Sequence, residues 1–258
     1  MKKSSYALRL ILLAVLSVSS LVSLPRAGAQ TGLEQTPIDI RYEDTTFDAN
    51  LPALGFGYET KATLNVVNTG SPGEFATVRA EIPESNSKLT VAEVVDGAVT
   101  DVDYKLLQFH WHTPSEHELN GQKFPVEMHF VHRADNGTGP IRVVGVFIKA
   151  GKENKELRKI FDSLPSQPGE TRAVNHFNLT KLLPHGLESY RYDGSLTTPD
   201  PATGDFKEGV KWVVLAEPIE MSRQQIEAFR RLFPEGNSRE VQPLNGRTIT
   251  TDVEPAEN

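Results

Sequence analysis

Along most of the chain, apolar and polar residues alternate in short runs instead of recurring at helical spacing. These runs cover 62–68, 75–82, 89–95, 105–112, 126–132, 142–149 and 211–216. Turn residues separate them, which is the pattern of strands that bury one face. Two stretches differ. Residues 152–164 set Leu157, Ile160, Phe161 and Leu164 on one helical face before Pro165. Residues 223–233 follow a Ser222/Gln225 capping box and turn Ile226, Phe229 and Phe233 inward. No linker or composition break divides the chain. The expected fold is mainly β (α+β): a large, mostly antiparallel twisted central sheet with short peripheral helices, in a single domain over 30–249. The acidic, polar stretch 250–258 is expected to be a flexible tail.

The N-terminus follows another pattern. Lys2, Lys3 and Arg9 precede an apolar run from Leu10 to Leu24, and Ala27-Gly28-Ala29 follows. This is the composition of a secretory signal peptide over 1–29. The run is shorter than the roughly 20 residues that span a bilayer, so no stable membrane span is expected after cleavage. The protein is therefore expected to be exported, to the periplasm or the exterior. Removing 29 residues that carry four basic and no acidic side chains takes the formal net charge from −7 to −11. A surface that acidic repels phosphate backbones and disfavours nucleic acid. Cysteine is absent despite the oxidising destination, so the core or a metal must hold the fold.

Four of the seven histidines fall between His110 and His129. On a strand, residues two apart share a face, so Gln108, His110 and His112 point one way while Leu107, Phe109 and Trp111 point the other. The same count sets Glu127, His129 and Val131 together, opposite Val126, Met128 and Phe130. Asn120-Gly121 between the two runs favours a two-residue type I′ turn. That turn puts His112 opposite His129 and His110 opposite Val131, so three imidazoles converge on one face. A lone buried histidine is ordinarily a satisfied core residue. Three converging imidazoles are the donor set of a catalytic zinc, which keeps a fourth position for water. Gln108 and Glu127 stand two residues from a ligand each, as acceptors for the ring N–H groups. His117 has the wrong parity and is expected to be structural. His132, His176 and His185 are expected on the surface or in loops.

The segments Gln108–His112, Ser115-Glu116-His117 and Glu127-Met128-His129 resemble the zinc site of the α-class carbonic anhydrases. Gln35-Thr36-Pro37-Ile38-Asp39-Ile40, Tyr190–Pro199 and Val210–Leu215 are similar to further motifs of that family, in consistent order. The resemblance implies zinc on His110, His112 and His129, and reversible hydration of CO2 to bicarbonate and a proton by zinc-bound hydroxide. It implies that Thr197 orients the hydroxide while donating its own proton to Glu116, with Thr198 lining the same pocket. It also implies an apolar wall for CO2 from Val131, Val143, Leu196, Val210 and Trp212. The chain departs from the family at Ser71, where fast members carry a proton-shuttle histidine. It also lacks the aromatic segment before Gln35 and has a longer loop after Pro199. That loop bears on the cavity rim or on a subunit contact, and leaves a homodimer open. Two rivals remain: a cupin-like metal-binding barrel, which would use Glu116 as a ligand, and a non-catalytic anhydrase-fold binding protein.

Overall fold

The computed structural model describes residues 32–70, 75–134 and 139–255. The proposed leader at 1–29 and Ser71 lie outside the described residues. In chain order the strands are β1 (Asp39–Ile40), β2 (Thr45–Phe47), β3 (Gly55–Gly57), β4 (Ala62–Asn68), β5 (Val78–Glu81), β6 (Lys88–Val95) and β7 (Ala98–His112). They continue as β8 (Glu118–Leu119), β9 (Val126–Arg133), β10 (Ile141–Ala150), β11 (Thr171–Phe177), β12 (Ser189–Ser195), β13 (Glu208–Met221) and β14 (Ile249–Thr251). Among the described residues two α-helices, α1 (Lys155–Phe161) and α2 (Arg223–Arg230), stand beside the strands. Twelve strands form one sheet in the order β11-β4-β5-β7-β9-β10-β13-β12-β14-β2, with β6 and β3 running on from β7. Most joints are antiparallel, but β10–β13 in the middle and β14–β2 at the edge are parallel. No helix among the described residues is long and apolar enough to cross a membrane.

Strand parity sorts the two faces. Phe109 and Trp111 of β7, Met128 and Phe130 of β9 and Val213 and Leu215 of β13 join Leu157, Phe161, Ile226 and Phe229 of the helices in the larger core. Trp111 packs edge-on against Phe161 at 5.3 Å, so the helices are docked on the sheet by aromatics worth about 3–5 kcal/mol each against truncation. Both helices start where the sequence provides caps. Asn154 accepts the Glu156 and Leu157 N–H groups, and Ser222 with Gln225 closes the expected capping box. The opposite face carries a smaller apolar cluster around Val143, Tyr192, Val210 and Trp212.

Three expectations are corrected. The tail does not start at residue 250, because Thr250 and Thr251 pair with β12 and β2, and Asp252 accepts the Ser189 N–H at 2.6 Å. Polar side chains alone did not reveal a strand paired on both sides, whose hydrogen bonds are made by its backbone. The second correction is register: His110 faces His129 and His112 faces Glu127, a slip of two residues from the expected pairing. Asn120 and Gly121 do form the turn, with φ of 50° and 72°, but it closes only the bridge between Leu119 and Gln122. Between that bridge and the main ladder the outgoing arm is two residues longer, because β8 leaves to pair with β1. A slip of two preserves side-chain parity, so the three imidazoles still share a face.

The third correction is His132, which is fully buried on the core-facing side of β9. Tyr58 Oη meets its Nε2 at 2.7 Å and the Arg142 carbonyl lies 3.3 Å from Nδ1. Burial pushes its pKa down to about 3. An unfolded ring takes up a proton near 6.5, so this histidine favours folding above that pH and the contribution is lost as pH falls toward 3. The loss between pH 7 and pH 5 is about 2 kcal/mol. Urea unfolding at the two pH values should show it, and His132→Phe should flatten that part of the dependence. An unchanged pH dependence in the variant would contradict the assignment. His176 and His185 are exposed, as expected.

Candidate metal centre

The row His110–His129–Gly145 crosses β7, β9 and β10 in register. Glycine at 145 leaves room there, since a Cβ would stand 3.0 Å from Glu127 Oε1 and 3.8 Å from the His129 ring. His112 lies two residues beyond His110 on the same face. The ring centroids are 5.0 Å (His110–His112), 5.4 Å (His110–His129) and 4.8 Å (His112–His129) apart. All three residues are at least nine-tenths buried, and one nitrogen from each falls within 4.8 Å of the others.

Each ring is oriented by a different partner. Gln108 Oε1 lies 2.8 Å from His110 Nδ1, the Asn237 carbonyl 3.0 Å from His112 Nδ1, and Glu127 Oε1 2.8 Å from His129 Nε2. A ring that donates from one nitrogen presents a lone pair on the other. The assigned tautomers therefore free Nε2 of His110, Nε2 of His112 and Nδ1 of His129. His112 Nε2 is buried with no hydrogen-bond partner among the described residues. An orphaned lone pair of that kind is costly unless a cation uses it, so the donor set fits a zinc ion.

Electrostatics favours the neutral form of two of these rings and makes the third more basic. Burial holds His110 well below the usual imidazole value, and the other two rings add to the effect. Burial also lowers His112, against the pull of Glu116. Burial acts the same way on His129, but the Glu127 and Glu116 carboxylates outweigh it and raise the ring. Glu127 is fully buried yet held well below the usual carboxylate range, because His117 and His129 overcome the cost of burial.

Strand parity sets His117 apart from the three converging rings. It donates its backbone N–H to Glu127 Oε2 at 2.8 Å, and its ring joins Glu127 Oε1 and Tyr192 Oη at 2.7 Å each. It therefore links Tyr192 to the acceptor of His129. Trp212 backs both rings at 4.9 Å and donates Nε1–H to the Ser195 carbonyl. Glu116 is buried, with Oε1 accepting the Arg239 N–H at 2.9 Å and Oε2 left without a partner among the described residues. Thr197 is buried and Thr198 half-buried just beyond β12. Val143, Val210 and Trp212 lie in the smaller core, and Val131 and Leu196 pack against it. Asn237 was missed: its side chain ties Thr113, Trp111 and Ala76, and its carbonyl sets His112. It stands over a hundred residues away in a loop after α2, and no local pattern marks it.

Fold and site together define a broad-sheet protein built around a buried histidine triad with the donor set of a catalytic metal centre. Residues 25–253 match the family model for eukaryotic-type carbonic anhydrase. The curated carbonic anhydrase of Neisseria gonorrhoeae is 37% identical over 219 residues, spanning 85% of this chain and 77% of its own length. That of Klebsiella pneumoniae is 35% identical over 221 residues, spanning 85% and 80%. Among solved structures, the α-carbonic anhydrase of Thermovibrio ammonificans in complex with sulfanilamide is 41% identical with a TM-score of 0.70, covering 85% of this chain and 87% of that one. The chain belongs to the carbonic anhydrase family, in its α class, and is an enzyme of that family. The barrel-type rival falls with this result, since the sheet is broad and open and the metal-competent triad does not include Glu116.

Proposed function

We propose that this chain is an exported zinc carbonic anhydrase in which His110, His112 and His129 hold the ion and no histidine relays the proton. The observation that carries the reading is the tautomer set. Three different acceptors leave three lone pairs turned to one point, one of them orphaned and buried. A zinc ion held there would lower the pKa of a bound water to about 7 and supply the nucleophile. Around it, Val131, Val143, Leu196, Val210 and Trp212 exclude water and hold CO2, which offers little to hydrogen-bond. Glu116 Oε2 lacks a donor, and an ionised carboxylate only accepts. In the family resemblance Thr197 would donate to this oxygen and keep lone pairs for the reacting oxygen, which would fix its direction of attack. Thr198 lines the same pocket. Gln108 and Glu127 keep the rings in the required tautomers. Metal analysis with stopped-flow CO2 hydration tests this, and a fully active preparation free of zinc would overturn it.

Proton export is the expected bottleneck. Ser71 stands where a shuttle histidine is expected, and a hydroxyl cannot hold a proton near neutral pH as an imidazole can. Turnover should fall well below about 10⁶ s⁻¹ and rise with the concentration of an imidazole-type buffer. Fast turnover that is independent of buffer contradicts the absence of a relay. Export rests on the leader-like residues 1–29, and cleavage after Ala29 is read by N-terminal sequencing of the secreted protein.

A further inference from the structure

Apart from the histidines, the chain forms an open cavity of about 460 Å³ whose lining includes Arg142, Arg191, Lys211 and Arg247 against Glu34 and Asp193. Four cations against two acids reverse the balance of a chain with 27 basic and 34 acidic residues. Strand register builds the cluster. Arg142 of β10 pairs with Lys211 of β13, and Lys211 pairs with Asp193 of β12. Arg191, two residues before Asp193, shares its face.

Three of the cations are fixed before any ligand arrives. Arg142 is held by Glu93. Arg191 donates to Ser189 Oγ at 3.0 Å and to the Pro52 carbonyl at 2.7 Å, and lies 3.5 Å from Asp252. Both side chains are nearly buried, 7% and 11% exposed, so solvent screens them little. Arg247 is tied to the carbonyls of Leu244, Asp193, Gln35 and Pro243 at 2.8–3.0 Å, which orient the guanidinium without neutralising it. The fourth, Lys211, makes no hydrogen bond or ion pair among the described residues and is left to the longer-range field of Glu93. Thr248 and Thr250 add neutral hydroxyl donors to the wall.

We propose that this cavity is a second site, distinct from the metal centre, that binds a small oxyanion with Lys211 as the closing ligand. Arg142 and Arg191 are already paired with Glu93 and Asp252, so Arg247, held only by neutral carbonyls, supplies the fixed charge, and the free Lys211 ammonium supplies the mobile contact. Glu34 and Asp193 at the lining set an upper bound on how much negative charge the site tolerates. A phosphate or a bicarbonate meets the same chemistry. Trp212 and Tyr192 also border the cavity, but both rings are buried on the opposite, histidine-bearing face of the sheet, which keeps this site apart from the metal centre.

Calorimetric titrations of inorganic phosphate and, separately, of bicarbonate into the purified full-length protein test this at low and high salt. The expected result is one saturable site, weakened about tenfold or more by Lys211→Glu and weakened by salt. Lys61→Glu, beside a different cavity, should leave it unchanged. Preference for phosphate marks a general oxyanion site, and preference for bicarbonate marks a site for the reaction's own product. Either supports the proposal. Affinity unchanged by Lys211→Glu overturns it, as does an absence of saturable binding with both anions. Heat that survives Lys211→Glu but vanishes in His112→Ala belongs to the metal centre and overturns it too.

Discussion

His112→Ala should emerge from purification with almost no bound zinc and with CO2 hydration at the background rate. The ring is 2% exposed, its Nδ1 is anchored on the Asn237 carbonyl, and its Nε2 has no other use in the fold. Two imidazoles and water hold a divalent ion far more weakly than three. The loss should therefore exceed the about 10–100-fold that removal of an outer hydrogen-bond partner costs. The folded state should survive, because the variant removes a buried ring but also removes an orphaned lone pair. Metal content by elemental analysis reads the first effect, and the near-ultraviolet dichroism of Trp212 and Trp111 checks the second. Stoichiometric zinc in a folded His112→Ala protein would falsify the ligand set.

What the sequence made legible here was parity. Alternation along 105–112 and 126–132 separated Gln108, His110 and His112 from Phe109 and Trp111, and the two faces hold their expected company. The pairing of the strands was less legible, because a turn signal at Asn120-Gly121 specifies the turn and not the arms that lead to it. Pro114 and the excursion of Glu118–Leu119 to β1 lengthen one arm, and that depends on a partner eighty residues earlier. His132 misled for a related reason. A polar ring one residue past Val131 reads as a strand end, whereas Tyr58, far away in sequence, and the carbonyl of Arg142 on the next strand satisfy both of its nitrogens. Asn237 and Arg239 could not be found from local pattern at all, since they act in part through backbone atoms. The longer loop after Pro199 now has an anchor, because Phe206 lies under the Arg239 guanidinium at 3.4 Å and meets Phe75 at 5.8 Å.

Glu127 is where fold and chemistry are most tightly joined, and its two substitutions should fail differently. The carboxylate is fully buried and accepts three hydrogen bonds, from the His117 backbone, the His117 ring and the His129 ring. Glu127→Ala leaves those donors unpaired and removes the charge that raises His129, so a loss of about 3–5 kcal/mol of stability should accompany a drop in zinc affinity of about 10–100-fold. Glu127→Gln keeps the shape but replaces one acceptor by an NH2 donor. Three donors then compete for one oxygen, and the amide forces a ring to accept. If that ring is His129, its proton moves to Nδ1, the nitrogen the ion requires. The Gln variant should thus lose zinc affinity nearly as far as the Ala variant while losing much less stability. The pH dependence separates them from wild type in the same sense. A carboxylate held below its ordinary value favours folding above the unfolded pKa, and loses that contribution as acid protonates it in the folded state. Both variants should therefore unfold with a shallower dependence on pH in the acid range. Chelator competition measures the affinity and urea unfolding the stability. Wild-type zinc affinity in Glu127→Gln would show that the carboxylate does not set the His129 tautomer.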